Sequence, residues 1–437
     1  MRNNLIDKQR KRLIDYFKSH TTNKNNFKVG VEFEHFIIHK NTLETVTYGE
    51  KNGVAHTLKE LESKGWKGDY SEDNILGLSK GDINITLEPG AQFEVSINPK
   101  QTIIELEKIY IDFLKEIVPI LEKKEQYMIS MGYHPVSKIE NIPFIPKERY
   151  KYMSQYFSDK GEYAHNMMKG TASIQIAIDY SDEEDCRKKF RLANLLSPIL
   201  SLIFDNSPIF EGNIYPNNIL RTDIWNKCDD DRSKIVPKSL DNEFSCSDYA
   251  EYILNTPPIL IMKNNEFNFV GDKLVKDVFD PDEFTDKELE HILTMVFPDV
   301  RLKGFIEIRM MDAVPYPFNL AGVALIKGIM YSDKNVDILL DMFKDWDNEK
   351  IAIVKREIMA NGFNSYIDGL DINEIIDKIL KLALEGLCQN EKEYLNPIIE
   401  IVSQRENPAI LIKKNIYKGL EKSIKCCILN NLLLEED

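Results

Sequence analysis

The sequence predicts an α+β protein: a mainly antiparallel β-sheet with helices packed on one face and an open polar face on the other. Three observations predict it. Segments 28–39, 83–97, 171–180 and 301–311 alternate apolar and polar residues with the two-residue period of half-buried strands. Long stretches between them, such as 101–131 and 182–204, carry apolar residues at helical spacing. Strands buried on both faces of a parallel sheet would be more uniformly apolar, so one-sided strands backed by helices fit best.

In chain order, 4–19 reads as a charged amphipathic helix and 28–39 as a strand. Residues 43–80 are mixed, with a helix near 56–64 and strand-like pieces after it. The strand pattern of 83–97 is broken by Pro89-Gly90, and the helix over 101–131 is expected to stop at Gly132. Ser181 and Glu184 have capping-box spacing for the helix over 182–204. Residues 212–245 are turn-rich. After 318 the chain looks helical, with loops near 361–371 and 388–391. No linker divides it, so residues 1–437 are expected to form a single domain, with 336–437 as its helical C-terminal portion.

A net charge of −15 argues against nucleic-acid or anionic-membrane partners, which would gain no counterion release. The six cysteines include no CxxC pair and read as reduced thiols. The N-terminal MRNNLIDKQRKRLIDYF has no apolar run of signal length, and no segment approaches the ~20 apolar residues of a membrane span. A soluble, cytoplasmic protein is expected.

The polar strand faces carry the chemistry. Glu32 and Glu34 share a face, as do Gln92, Glu94 and Ser96, with Glu88 just before the Pro-Gly break. Thr171, Ser173 and Gln175 share another, and Arg301, Lys303, Glu307 and Arg309 a fourth. Solvated outer faces favour Lys, Thr and mixed charge. Carboxylates gathered without basic neighbours repel one another unless something positive sits among them. Hard oxygen ligands suit Mg²⁺ or Mn²⁺, and magnesium commonly bridges carboxylates to phosphates, which suggests nucleotide chemistry. No P-loop, GxGxxG or HExxH occurs, and the seven histidines form no zinc pattern. Arg221 and Trp225 are spaced i, i+4 and would meet on one helical face. The cluster of Arg221, Asp231 and Arg232 could grip a carboxylate or form a structural salt bridge with the adjacent aspartates, and Arg149 could be a third such grip or a plain surface arginine.

Together these segments resemble the glutamate–cysteine ligases of the plant and proteobacterial type. The resemblance lies in VGVEFEHF (29–36), LEPGAQFEVS (87–96), IPKERYKYM (145–153), the block from MMKGTASIQIAIDY to NSPIFEG (167–212), RTDIWNKCDDDR (221–232) and FPDVRLKGFIEIRMMDA (297–313). It runs in order over a core of about 28–335. It implies a glutamine synthetase-like catalytic domain with a curved sheet. ATP would phosphorylate the glutamate γ-carboxylate, and the cysteine amine would displace phosphate. It implies that Glu32, Glu34, Glu88, Glu94 and Glu307 hold Mg²⁺ or Mn²⁺, with Glu32, Glu34, Glu307 and Arg309 central to catalysis. Arg149, Arg221 and Trp225 would bind glutamate, with Met168, Thr171, Gln175 and Arg232 also facing substrate. Arg301, Lys303 and Arg309 would contact phosphate. The small molecules glutamate, cysteine and ATP are then the partners of a monomer or homodimer. Two departures bear on the acceptor pocket: Gly170 stands where plant members carry arginine, and Tyr316 stands near a family tryptophan. A same-mechanism ligase with another amine or acid remains the alternative. A non-catalytic binding protein of the same fold and an acidic scaffold are more distant ones.

Overall fold

The computed structural model describes residues 2–264 and 266–433. Its centre is an open nine-stranded sheet. The strands are β1 (Val29–His39), β2 (Lys67–Ser71), β3 (Asn74–Lys80), β4 (Ile83–Leu87), β5 (Phe93–Lys100), β6 (Gln126–Ile129), β7 (Ile174–Ile178), β8 (Val300–Leu302) and β9 (Ile306–Ile308). Their order is β8-β9-β7-β1-β5-β4-β3-β2, with β6 pairing the outer half of β1. The pairings around β1 are antiparallel.

The alternation does what its period demands. Val31, Phe33, Val95, Ile174, Ile176 and Ile178 are buried in the main core. Helices cover that face: α1 (Ile103–Lys123) packs on β5 and β6, α2 (Glu183–Ile203) on β8 and β9, and α3 (Phe318–Met330) on β1 and β7. A reciprocal capping box between Thr102 and Glu105 starts α1. The C-terminal segments pack behind the sheet, where Ser130 N–H bonds to the Cys427 carbonyl and Lys327 pairs with Glu391 at 2.6 Å.

Three local expectations change. The helix expected over 101–131 ends at Lys123, Glu125 turns with φ +54°, and 126–129 becomes β6. A short apolar run suits either period, and the free edge of β1 decides it. The N-cap of α2 is Asp182, whose side chain accepts from Asp185 N–H, while the Ser181 hydroxyl donates to both aspartates. Segment 301–311 is not one strand but the hairpin β8–β9, turning at Gly304-Phe305, so Arg301 lies directly opposite Glu307.

Candidate active site

Residues facing one another across antiparallel strands share a face. Glu34 is opposite Glu94, Glu32 is opposite both Ser96 and Gln175, and Thr86 is opposite Glu94. The acidic side chains therefore form a row across β1 and β5. A roof covers this face, so the polar surface is the floor of a cavity of ≈ 330 Å³. The roof comes from the helix Glu148–Tyr156, the turn of helix Ala164–Gly170 with Thr171, the helix Leu220–Asn226, and the 294–297 loop.

The cavity gathers Glu32, Glu34, Glu88, Glu94, Arg149, Met168, Thr171, Gln175, Arg221, Trp225, Arg301, Lys303 and Arg309. Glu34 is buried and well held: it accepts from Ser173 N–H at 2.7 Å, Ser173 Oγ at 3.1 Å and Gln175 Nε2 at 2.8 Å. Burial, then the Glu88 charge, pushes its carboxyl up to about 7 against the opposing pull of Arg221. Glu94 is pushed well up by burial and by Glu32, Glu88 and Glu34, although Thr86 donates to it at 2.5 Å. Burial and Glu307 raise Glu32. Tyr150 donates its hydroxyl to Glu88 at 3.1 Å.

Glu307 is set differently. Its oxygens lie 2.6 Å from Arg301 Nε, 2.7 Å from Lys303 Nζ and 3.0 Å from Arg309 Nη1. Burial opposes its ionisation, but Arg301, Lys303 and Arg309 overcome it and hold the carboxyl well below the usual range. Arg309 also donates to Gln175, which ties this cluster to Glu34.

The opposite wall presents donors without partners. Arg221 gives one bond, to the Arg309 carbonyl at 2.9 Å, and its guanidinium lies 5.4 Å from the Trp225 ring centroid. Arg149 reaches Thr294 Oγ1 at 3.4 Å and Met295 Sδ at 3.3 Å. The buried Nε atoms of Arg149 and Arg221 and the Trp225 indole nitrogen have no hydrogen-bond partner among the described residues. Buried donors are normally paired, so such a set marks the place of an anionic, partly apolar ligand.

Arg232 belongs elsewhere. It is fully buried, pairs with Asp229 at 2.7 Å, and donates to the carbonyls of Pro257 and Met295 and to Tyr156. Every branch of its guanidinium is committed, and it does not line the cavity. Tyr316 also lies outside, bonding Glu107 on α1 at 2.7 Å. Gly170 is packed: a Cβ there would stand 2.6 Å from the Tyr133 ring. Lys147, Tyr150, Met153, Met167, Thr294 and Phe297 line the cavity although no pattern in the sequence marks them individually. Lys147, Tyr150 and Met153 sit in the same 145–153 motif as Arg149, the one signal that could have found them.

Among the described residues, no three His, Cys, Asp or Glu side chains converge tightly enough to hold a metal ion alone. Magnesium asks less, since it keeps waters and typically takes one or two carboxylates plus phosphate oxygens. Glu32, Glu34 and Glu94, hard donors pushed up by burial and then by neighbouring carboxylates, fit that demand.

An open antiparallel sheet that sets carboxylates against a cationic wall is the arrangement expected of a carboxylate-activating ligase. The model of glutamate–cysteine ligase family 2 matches residues 28–413. The chain is 30% identical over 419 residues to the chloroplastic glutamate–cysteine ligase of Arabidopsis thaliana, spanning 92% of this chain and 78% of that one. It is 31% identical over 417 residues to the chloroplastic enzyme of Brassica juncea, spanning 92% and 79%. A glutamate–cysteine ligase from Francisella tularensis, solved in complex with AMP, shares the fold with TM-score 0.57 at 11% identity, over 92% of this chain and 87% of that one. The chain belongs to glutamate–cysteine ligase family 2, and it is a ligase. The same relatives correct the cytoplasmic expectation, because they are chloroplastic proteins. Acidic charge and reduced thiols suit an organelle's reducing interior as well as the cytosol. No helix among the described residues is long and apolar enough to cross a membrane.

Proposed function

We propose that this ligase makes γ-glutamylcysteine. A γ-carboxylate oxygen of glutamate attacks the terminal phosphorus of ATP and ADP leaves. The cysteine amine then attacks the acyl carbon, phosphate leaves, and the amine gives up a proton. The observation that supports this best is the pairing of the carboxylate row with three unpartnered buried donors on Arg149, Arg221 and Trp225. The row suits a phosphate-bridging cation, and the donors suit an amino acid's carboxylate with its carbon chain against the indole.

The residues divide the work by position. Arg221 and Arg149 hold the glutamate α-carboxylate so that its γ-carboxylate lies over Glu34. Glu307 aims Arg301, Lys303 and Arg309 at the transferring phosphoryl group, whose charge they stabilise. With both its oxygens engaged by these cations, Glu307 serves as their anchor rather than as a metal ligand. Mg²⁺ or Mn²⁺ held by Glu32, Glu34, Glu88 and Glu94 would neutralise phosphate charge.

The nucleotide base has a site of its own. A ≈ 200 Å³ cavity continues the sheet face beyond Glu32 and Gln175, lined by Gly30, Pro99, Ala177 and Phe305. Small residues form its floor, and a proline and a phenyl ring flank it, as a flat base requires.

Purified protein with ATP, Mg²⁺ and glutamate, offered a panel of amines and followed by phosphate release and product mass, tests this reading. Cysteine should be fastest. Turnover with alanine or 2-aminobutyrate equal to that with cysteine would remove the cysteine assignment.

A further inference from the structure

Three cations of the cavity, Arg149, Arg221 and Lys147, have no carboxylate partner among the described residues. Lys147 lines the wall where the chain enters the helix Glu148–Tyr156, and its Nζ contacts the Tyr150 hydroxyl at 3.5 Å and lies 4.9 Å from that ring's centroid. Among the described residues no carboxylate oxygen comes within 4.0 Å of it. Arg301, Lys303 and Arg309 pair with Glu307, and Arg149 and Arg221, which touch only neutral groups, form the proposed grip on glutamate, so Lys147 is the cation left to assign. Lys147 is half-buried, and the nearby carboxylates act on it without direct contact, which leaves its ammonium free to meet a ligand's carboxylate.

Its place narrows the ligand. The charges acting most on Lys147 are Glu88, Arg149, Glu94 and Asp69. These cluster on the β5-β4-β2 side of the sheet. Glu307 and its three cations are on β9, with β7 and β1 between. The ligation brings three anionic groups besides the γ-carboxylate: the phosphates, the glutamate α-carboxylate and the acceptor's carboxylate. The first belongs with the β8–β9 cations and the second with Arg221.

We propose that Lys147 holds the α-carboxylate of the amine acceptor, which therefore enters over the β4–β5 side of the carboxylate row. This rests on the ligase reading above. It makes the acceptor an amino acid rather than a simple amine, with Lys147 as the residue that enforces the difference.

Cysteine and cysteamine differ only in that carboxylate, so the full chain is assayed with both, with ATP, Mg²⁺ and glutamate present. The wild type should favour cysteine in kcat/KM by about 100-fold, the scale of one buried charge-assisted contact. Lys147→Gln should collapse that ratio to within about tenfold, and Lys147→Arg should retain most of it. KM for glutamate should stay within about twofold in both variants, since the contact belongs to the other substrate. Equal losses with cysteine and cysteamine, or a raised KM for glutamate or ATP, would overturn the assignment. Hydroxylamine trapping separates the two readings: a wild type that forms no γ-glutamyl hydroxamate refutes acyl-phosphate chemistry itself, and the Lys147 role with it.

Discussion

Glu34 and Glu94 stand directly opposite one another on β1 and β5, a buried and a half-buried carboxylate on one face of the sheet. Burial, then the Glu88 charge, pushes Glu34 up to about 7, and burial, then Glu32, Glu88 and Glu34, pushes Glu94 well above the ordinary carboxylate range. A cation held between them would relieve the repulsion and keep both ionised. Glu34→Gln should therefore lower Mg²⁺-dependent phosphate release by about 10²–10³-fold. The amide keeps an acceptor for Ser173 N–H but sets its NH2 against the Gln175 Nε2 donor, so a modest fall in the thermal midpoint is expected with the fold kept. Unchanged turnover would refute the metal assignment.

Arg221 offers the proposed glutamate carboxylate a planar fork that a lysine cannot copy. Arg221→Lys should raise KM for glutamate about 10–100-fold while KM for ATP barely moves. Steady-state kinetics with each substrate varied in turn makes the comparison, and a shift confined to ATP would contradict it.

Arg232 should matter for stability alone. Replacing it with methionine strands the buried Asp229 carboxylate, at a cost of about 3–5 kcal/mol. Denaturant titration should show the loss, while the remaining folded enzyme keeps its KM for glutamate.

Gly30 tests the base site. A Cβ at this position would stand 3.3 Å from Pro99 Cγ and 3.4 Å from Ala177 Cβ, so a methyl is just accommodated and a larger side chain intrudes. Gly30→Leu should raise KM for ATP by about tenfold, consistent with ~1–3 kcal/mol of overpacking, with KM for glutamate spared. Isothermal titration with an ATP analogue reads the same loss.

Asp312 sits behind Arg221, accepting from Ser207 Oγ at 2.5 Å and Asn206 N–H at 2.9 Å. Burial and the Asp205 charge push its carboxyl up to about 7. The folded state thus binds a proton that the unfolded chain releases near pH ~4. The associated stability is fully present below that value and is lost as pH rises through about 7. Asp312→Asn should flatten the fall in melting temperature between about pH 5 and 8, in part only because Asp205 is also raised.

Much of this was legible because a strand's period is local. Glu32 with Glu34, and Gln92 with Glu94, declare their shared faces from alternation alone. The Arg221–Trp225 pairing was legible from helical spacing in the same way, and 220–226 is indeed a helix. Arg232 was not. Its type and motif matched a substrate contact, but only the folded chain shows Asp229, Tyr156 and two carbonyls closing around it. Lys147 and Tyr150 escape a sequence reading because a loop lysine and a helical tyrosine carry no periodic signal of function.

By itself, the sequence determined the alternating strands, their helical backing, the acidic faces and, through its motifs, the ligase family. The tertiary structure decided which strand lies beside which. It set Glu34 against Glu94, turned 301–311 into a hairpin that ranges three cations around Glu307, and left Lys147 without a carboxylate in direct contact. The physical reason is one of range. Periodicity and propensity act within a few residues, whereas burial, charge pairing and register depend on segments far apart in the chain, and those meet only once it is packed.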